Sequence, residues 1–363
     1  MKDSFNKICM DASLVGASVV VYNKNGIVEE VCYGKQSIEE NIETSKDTIY
    51  RLASISKVIV AASVMTLQEQ HKICLDDDIS NYLGFKVRNP FFPNDYITIR
   101  MLMTQTSSLL DGKDNSGYDL VNGTNNPCSL QDLLVDGGKY YTLDTFDHYK
   151  PGTNFNYSNF NCGILACIVE KVTGMYFTDY VRKNVLIPLE MDASFVITDI
   201  KNQDKVASLY KVENNNIKLN RTLVDFINLK YNKFPLGDNF RGPAGGLFSS
   251  LSDLAKFARI FLNNGRPILK KETTDLMLAT HWEGVGHGAY KAKGLQMIIL
   301  NYKGHILKGH FGDAYGVRSF MLFNEEKNIG INYITNGGFY KLQQSGIDSV
   351  QEKVLDLFIE KYM

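Results

Sequence analysis

The segment Ser54-Ile55-Ser56-Lys57-Val58-Ile59-Val60-Ala61-Ala62-Ser63-Val64-Met65-Thr66-Leu67 carries a single charge, Lys57, in a run that is otherwise apolar or small. A helix that is apolar nearly all round belongs in the centre of a protein, so this segment predicts a buried core helix. Residues three apart on a helix share a face, which brings the Lys57 amine to the Ser54 hydroxyl. A serine alcohol is a weak nucleophile until a base takes its proton, and a lysine serves when burial lowers its pKa. The apolar helix provides that burial. Ser54, at the helix N-terminus, also meets the positive end of the helix dipole, which favours developing negative charge. Two further Ser-x-x-Lys matches, Ser4 to Lys7 and Ser208 to Lys211, lie in polar stretches that offer no buried amine.

Upstream, the β-branched run Gly16 to Val21 and the run Ile27 to Tyr33 flank Asn23-Lys24-Asn25-Gly26, a hairpin signal. Downstream, residues 75–240 read mainly as helices and polar loops. Asp111 to Asn126 is a Gly/Asn/Asp-rich loop, and Asn161 to Thr173 is a helix closed by Gly174. Ser250-Leu251-Ser252-Asp253 has capping-box spacing and opens a helix ending before Gly265. Strand-like runs follow at Gly294 to Tyr302, Ile306 to His310, Val317 to Phe323 and Ile329 to Ile334, with a turn at Asn301 to Gly304. Ser349 to Tyr362 has helical spacing. Strands at both ends and helices between predict an α+β fold: an antiparallel sheet flanked by helices, with a mostly helical second subdomain. We expect one catalytic domain over 1–363, made of an α/β part (about 1–60 and 241–363) and a helical part (about 61–240).

The chain has 363 residues, 44% of them hydrophobic, and a formal net charge of −1. That supports a large core and lacks the basic balance of a nucleic-acid or membrane-surface binder. No run reaches the roughly 18 apolar residues of a membrane span, and the N-terminus shows no apolar signal-peptide region, so a cytoplasmic location is expected. Six scattered cysteines form no Cys-x-x-Cys pair and no zinc pattern, so neither metal nor cofactor is expected. Cys162 and Cys167 read as buried thiols.

Two motifs are each unique in the chain. Tyr157-Ser158-Asn159 follows the turn Pro151-Gly152-Thr153. A phenol near a lysine ammonium ionises more easily and can serve as base and then acid. The Asn159 amide can orient a substrate amide or the Lys57 amine. His310-Phe311-Gly312 ends the Ile306 to Gly309 strand and leads into Asp313. The glycine permits close approach of substrate to backbone, and His310 adds a polar group of near-neutral pKa.

The order and spacing of Ser54/Lys57, Tyr157/Asn159 and His310/Gly312 resemble the serine β-lactamase and penicillin-binding protein superfamily. The likeness is nearest to class C β-lactamases, His-x-Gly DD-peptidases and their esterase and D-aminopeptidase relatives. Asp47 to Lys57, Ile97 to Thr104, Pro151 to Asn159, Val172 to Gly174, Pro188 to Met191, Pro243 to Ser250 and Gly309 to Gly312 all look like family segments. The resemblance implies that Ser54 attacks a carbonyl while Lys57 and Tyr157 manage the proton. It implies an oxyanion held by the backbone N–H groups of Ser54 and Asp313, and Asn159 against the acyl side chain or Lys57. Tyr157 is the candidate for activating the deacylating water.

Several positions depart from the family pattern. Phe311 stands where a hydroxyl is common and cannot donate a hydrogen bond. Asp313 would repel an anionic substrate end, by about 1–4 kcal/mol near a surface. Both lead to the expectation of a neutral ester or amide, or of a substrate amine paired with Asp313. Gln105-Thr106-Ser107-Ser108 differs where relatives often carry His and then Ser-Gly, which bears on a supporting loop. The expected activity is hydrolysis of a small ester, amide or D-amino-acid peptide. β-Lactam hydrolysis or DD-carboxypeptidase action, acyl transfer, and a penicillin-binding sensor or scaffold without turnover are the alternatives. Asp111 to Asn126, Asn214 to Arg241 and His281 to Tyr290 are expected to line the cleft, with Tyr315 and Trp282 as candidate aromatic walls.

Overall fold

A computed structural model describes residues 1–228, 234–286 and 288–363. Residues 229–233 and 287, within two of the segments expected to line the cleft, lie outside the described residues. The central sheet is built from strands β1 (Gly16–Asn23), β2 (Gly26–Ser37), β3 (Ile42–Glu43), β4 (Trp282–Glu283), β5 (Ala292–Lys293), β6 (Ile298–Tyr302), β7 (His305–Ala314), β8 (Val317–Asn324) and β9 (Ile329–Thr335). Their order is β3-β2-β1-β9-β8-β7-β6-β5-β4, and every neighbouring pair is antiparallel. The two ends of the chain meet where β1 pairs with β9, from Ala17 opposite Thr335 to Asn23 opposite Ile329. The sheet expected from terminal strands is therefore continuous.

Side chains alternate across a strand, and here the alternation sorts two cores. Val19, Val21, Phe320, Leu322 and Tyr333 face helices α1 (Lys2–Asp11) and α5 (Ser349–Tyr362), packing with Phe5, Cys9, Val354 and Phe358. Val20, Tyr22, Met321, Phe323 and Ile334 face the larger core, which holds helices α2 (Ser56–Glu69), α3 (Asn159–Thr173) and α4 (Leu251–Ala258). Every residue of α2 from Ser56 to Leu67 is buried, as its composition predicts.

The Asn23 to Gly26 hairpin, the α5 span and the Gly174 cap, left-handed at φ 67°, match the sequence reading. In the Tyr302–His305 hairpin both Lys303 and Gly304 have positive φ, as its two-residue turn requires. Ser250 caps α4 by accepting from the Asp253 N–H at 3.1 Å.

Four expectations need correction. The strand carrying His310 continues to Ala314, because its register with β8 runs unbroken to Ala314 opposite Val317, so His-x-Gly lies within a strand and not at its end. The strand expected from Gly294 starts at Ile298, after a turn in which the Gly294 N–H donates to the Met297 carbonyl at 3.0 Å. The Asp111 to Asn126 loop contains a short helix, Gly117–Asn122. The helical middle includes a hairpin, Leu209–Glu213 with Asn216–Arg221. Among the described residues no single helix is long and apolar enough to cross a membrane.

Candidate active site

Ser54 stands in a 3-10 turn, Ala53–Ile55, that feeds directly into α2. Ala53, just before it, has φ 52°, a left-handed conformation that costs on the order of 1–2 kcal/mol for a non-glycine residue. The turn is held close against β7. A Cβ on Gly312 would lie 2.8 Å from the Leu52 carbonyl oxygen, 3.2 Å from the Ala53 Cβ and 2.2 Å from the Ser319 Oγ. Only a glycine lets the strand pass there. Ser56 ties the turn from below, its hydroxyl donating to the Ala53 carbonyl at 2.7 Å and accepting from the Leu247 N–H at 3.1 Å.

Lys57 is fully buried and its Nζ has three oxygen partners: Ser54 Oγ at 3.0 Å, Asn159 Oδ1 at 2.8 Å and the Ala244 carbonyl at 2.8 Å. Burial lowers its pKa from 10.5 to about 8, with Cys162 and Asp111 opposing. The Asn159 and Ala244 oxygens can only accept hydrogen bonds. A neutral Lys57 therefore gives its two N–H groups to them, and its lone pair points at the Ser54 hydroxyl.

Tyr157 donates to Ser54 Oγ at 2.8 Å, so Lys57 and Tyr157 converge on one oxygen. Burial pushes the Tyr157 phenol up, against the expectation that a neighbouring ammonium would ease its ionisation. The Lys57 Nζ lies 4.9 Å from the ring centroid, over the face of the ring. Tyr157 is thus held as a phenol.

Asn159 is oriented by Asp111, which the sequence reading missed. The carboxylate accepts from Asn159 Nδ2, Ser158 Oγ and the Phe160 N–H, each at 2.8 Å. That fixes the amide so that its oxygen faces Lys57. Asp111 sits in a loop rich in Asn and Asp, where no local pattern separates it from its neighbours. Gln105, in the segment that departs from the family pattern, supports the same turn, its Oε1 accepting from the Ser158 N–H at 3.0 Å and Asn161 Nδ2 at 2.7 Å.

His310 is buried beside the cluster, its ring centroid 6.2 Å from that of Tyr157. Its Nδ1 donates to the Phe311 carbonyl at 2.5 Å, and its Nε2 is buried without a partner among the described residues. Burial, followed by the charges of Lys293 and Lys57, lowers its pKa well below the ordinary value. The near-neutral titration expected of His310 is corrected by this environment. Phe311 faces the other side of the sheet and packs edge-on against Phe320, ring centroids 6.0 Å apart. It neither offers nor withholds a contact at Ser54, because adjacent strand residues point to opposite faces. Asp313 is two-thirds exposed and paired with Arg318, which removes the basis for reading it as a free negative charge.

Lys293 on β5 was also missed. It is fully buried, with no hydrogen-bond partner for its Nζ among the described residues. Its Nζ is 5.3 Å from the Tyr290 ring centroid and 5.9 Å from that of Phe155. Burial, then the Lys57 charge, lowers its pKa to about 7. Trp282, Phe155 and Tyr290 form a row of rings spaced 5.2 and 5.8 Å, and Tyr290 lies 5.6 Å from Tyr157. Trp282 thus belongs to an aromatic wall behind the Tyr157 side of the cluster. Tyr315 lines a cavity of about 370 Å³ that opens on Ser54 and Asn159.

The beta-lactamase family model matches residues 6–352. Protein flp of Staphylococcus aureus (strain N315) is 26% identical over 324 residues, 88% of this chain and 59% of that protein. The chain therefore spans about three-fifths of the length of that relative. The octameric penicillin-binding protein homologue from Pyrococcus abyssi superposes with a TM-score of 0.75 at 23% identity, covering 98% of this chain and 77% of the other. The D-amino acid amidase of Ochrobactrum anthropi SV3 gives a TM-score of 0.76 at 19% identity and 99% coverage of both chains.

Proposed function

The chain belongs to the beta-lactamase family, and within it we propose that this protein is a serine hydrolase acting through a Ser54 acyl-enzyme on a small ester, amide or peptide. One observation carries the proposal: the Ser54 oxygen is held between the Lys57 amine at 3.0 Å and the Tyr157 phenol at 2.8 Å. In the first step Ser54 Oγ bonds to the substrate carbonyl carbon and its proton passes to the Lys57 lone pair. The backbone N–H groups of Ser54 and Asp313 are the donors proposed for the oxyanion. When the tetrahedral intermediate collapses, the bond to the leaving oxygen or nitrogen breaks, and the Tyr157 phenol gives that atom its proton. The proton held by Lys57 replaces it. Water then enters on the Tyr157 side and the same path runs in reverse, releasing the acid and free Ser54.

The division of labour follows from burial, which favours the neutral form of both groups. A neutral amine is a base and a neutral phenol is an acid, so Lys57 is assigned the base and Tyr157 the donor. His310 is assigned a neutral positioning role beside Tyr157. D-Amino-acid amides and peptides are included as substrates by analogy with the amidase whose fold this chain shares.

Intact-mass spectrometry after treatment with a fluorophosphonate tests the nucleophile. We expect one adduct, mapped to Ser54 and absent from Ser54→Ala. A folded protein that takes no label would sink the hydrolase reading. Turnover of a panel of esters, D-amino acid amides and nitrocefin separates the activities, and a penicillin adduct that never clears would favour a sensor.

A further inference from the structure

The cavity beside Ser54 collects three arginines, Arg51, Arg221 and Arg241. None of them forms an ion pair with a carboxylate among the described residues. Residues 229–233 and 287, outside the described set, contain no Asp or Glu. The one acid lining the cavity, Asp313, is engaged by Arg318.

The arginines are held by rings and carbonyl oxygens, and Asp238 bears on Arg241 electrostatically without an ion pair. Tyr315 is flanked by two of them, the Arg51 guanidinium carbon 4.6 Å and that of Arg221 5.4 Å from its ring centroid. Such contacts engage the guanidinium over the ring and leave N–H groups available for a planar anion. Arg51 spends Nε on the Gly245 carbonyl at 3.0 Å. Arg241 donates to the Val121 and Asn126 carbonyls, each at 2.9 Å, while its Nη1 is buried without a partner among the described residues. Three like charges around a cavity of about 370 Å³ repel one another and concentrate anions from solution. That size suits one arm of a small molecule.

The position of the cavity says which half of the substrate enters it. Ser54 and Asn159 line it and Tyr157 does not. Tyr157 is the proton donor to the leaving group, so the leaving half lies on its side and the acyl half on the Asn159 side.

We propose that the substrate's acyl half carries a carboxylate, received by Arg51, Arg221 and Arg241 in the cavity beside Ser54; the assignment to the acyl half rests on the serine hydrolase reading. It replaces the expectation of a neutral substrate or of an amine paired with Asp313. An acyl group bearing a free ammonium is repelled by the same arginines.

Two measurements test it. In the first, kcat/KM is compared for the mono-p-nitrophenyl ester of glutarate and for p-nitrophenyl butyrate. The anionic ester is expected to be preferred about tenfold or more, with the preference shrinking as salt rises from 50 to 500 mM, as for a screened charge contact. Arg221→Gln, and separately Arg51→Gln, each in protein shown by its melting curve to be folded, should bring the ratio towards one. In the second, calorimetric titration of Ser54→Ala with monomethyl glutarate and with methyl butyrate reads the cavity without chemistry, and the anion should bind about tenfold tighter or more. Equal or weaker binding of the anion, or a preference that ignores both salt and the arginine variants, overturns the proposal. Selective binding of the anion without hydrolysis of either ester would instead count against the hydrolase reading and leave the anion site standing.

Discussion

Lys57 is poised by acceptors more than by its bond to Ser54. An ammonium has three N–H groups and finds three oxygens, while the neutral amine has one lone pair and only the Ser54 hydroxyl to receive a proton from. The folded-state pKa of about 8 then sets the pH response. A base must be unprotonated, so kcat/KM should rise with pH to a half-point near 8, measured with an ester whose own hydrolysis is subtracted. An acid limb at 6.5 in its place would mean that a histidine, not Lys57, is the base. Lys57→Met should lower kcat/KM by about 10²–10⁴-fold, the usual range for a lost general base. Asp111 acts one bond further out, by aiming the Asn159 oxygen at Lys57. Asp111→Asn should lower kcat by about 10–100-fold with little change in melting temperature, as misplacing a positioned group does. Unchanged kcat would remove Asp111 from the site.

At the level of elements, β7 serves two masters through its alternation. Phe311 anchors the strand in the core shared with α1 and α5, while Gly312 turns its bare Cα to the Ser54 turn. The turn itself holds a left-handed Ala53, with β7 pressed against it at Gly312. Gly312→Ala should therefore displace the turn, destabilising the protein by about 1–3 kcal/mol in denaturant titration. It should slow fluorophosphonate labelling of Ser54 by more than the lost stability accounts for. A variant that labels at the parent rate would show that the turn tolerates the methyl group. Phe311 is an ordinary core residue by the same alternation, so its replacement by Leu should cost stability and leave the substrate preference alone.

The molecule as a whole fully buries two amines that act on each other electrostatically, Lys57 and Lys293, and only the first has hydrogen-bond partners among the described residues. Lys293 has a folded-state pKa of about 7, against 10.5 unfolded. Between those values the unfolded chain binds more protons than the folded one, so this group makes stability rise with pH from about 7 to about 10.5. The difference in unfolding free energy between the parent and Lys293→Met should climb across that window by an amount on the order of a few kcal/mol. At pH 7 the variant should be at least as stable as the parent, because an unpaired buried amine is replaced by an apolar chain of similar length. A pH-independent difference would mean that Lys293 is solvated. His310, neutral in the fold, contributes in the same sense at lower pH: stability is lost as pH falls below about 6.5, where the unfolded chain takes up a proton that the folded one refuses.

Local patterns were enough for the elements with strong signals within a turn or two of chain, though not for the short helix Gly117–Asn122 or the limits of β6 and β7. The apolar run after Ser54 specified a buried helix, and a lysine three residues on specified a lysine at the serine. The Asn23 to Gly26 turn, the Gly174 cap and the α5 span were legible for the same reason: each is set by residues within one or two turns. Tyr157 and His310 stood out because their motifs occur once in the chain. What the chain could not announce was decided by packing across long separations. Asp111 meets Asn159 through a loop 48 residues away, and Lys293 reaches the Tyr157 wall across more than 100 residues. Arg51, Arg221 and Arg241 share a cavity only through tertiary packing: Arg51 pairs opposite Phe248, Arg221 ends the hairpin that begins at Leu209, and Arg241 is tied to the Val121 and Asn126 carbonyls. Charge at the site followed the same rule. Phe311 and Asp313 adjoin the motif in sequence, yet strand alternation turns the first into the core and Arg318 engages the second, since a side chain's direction is a property of the sheet and not of its place in the chain.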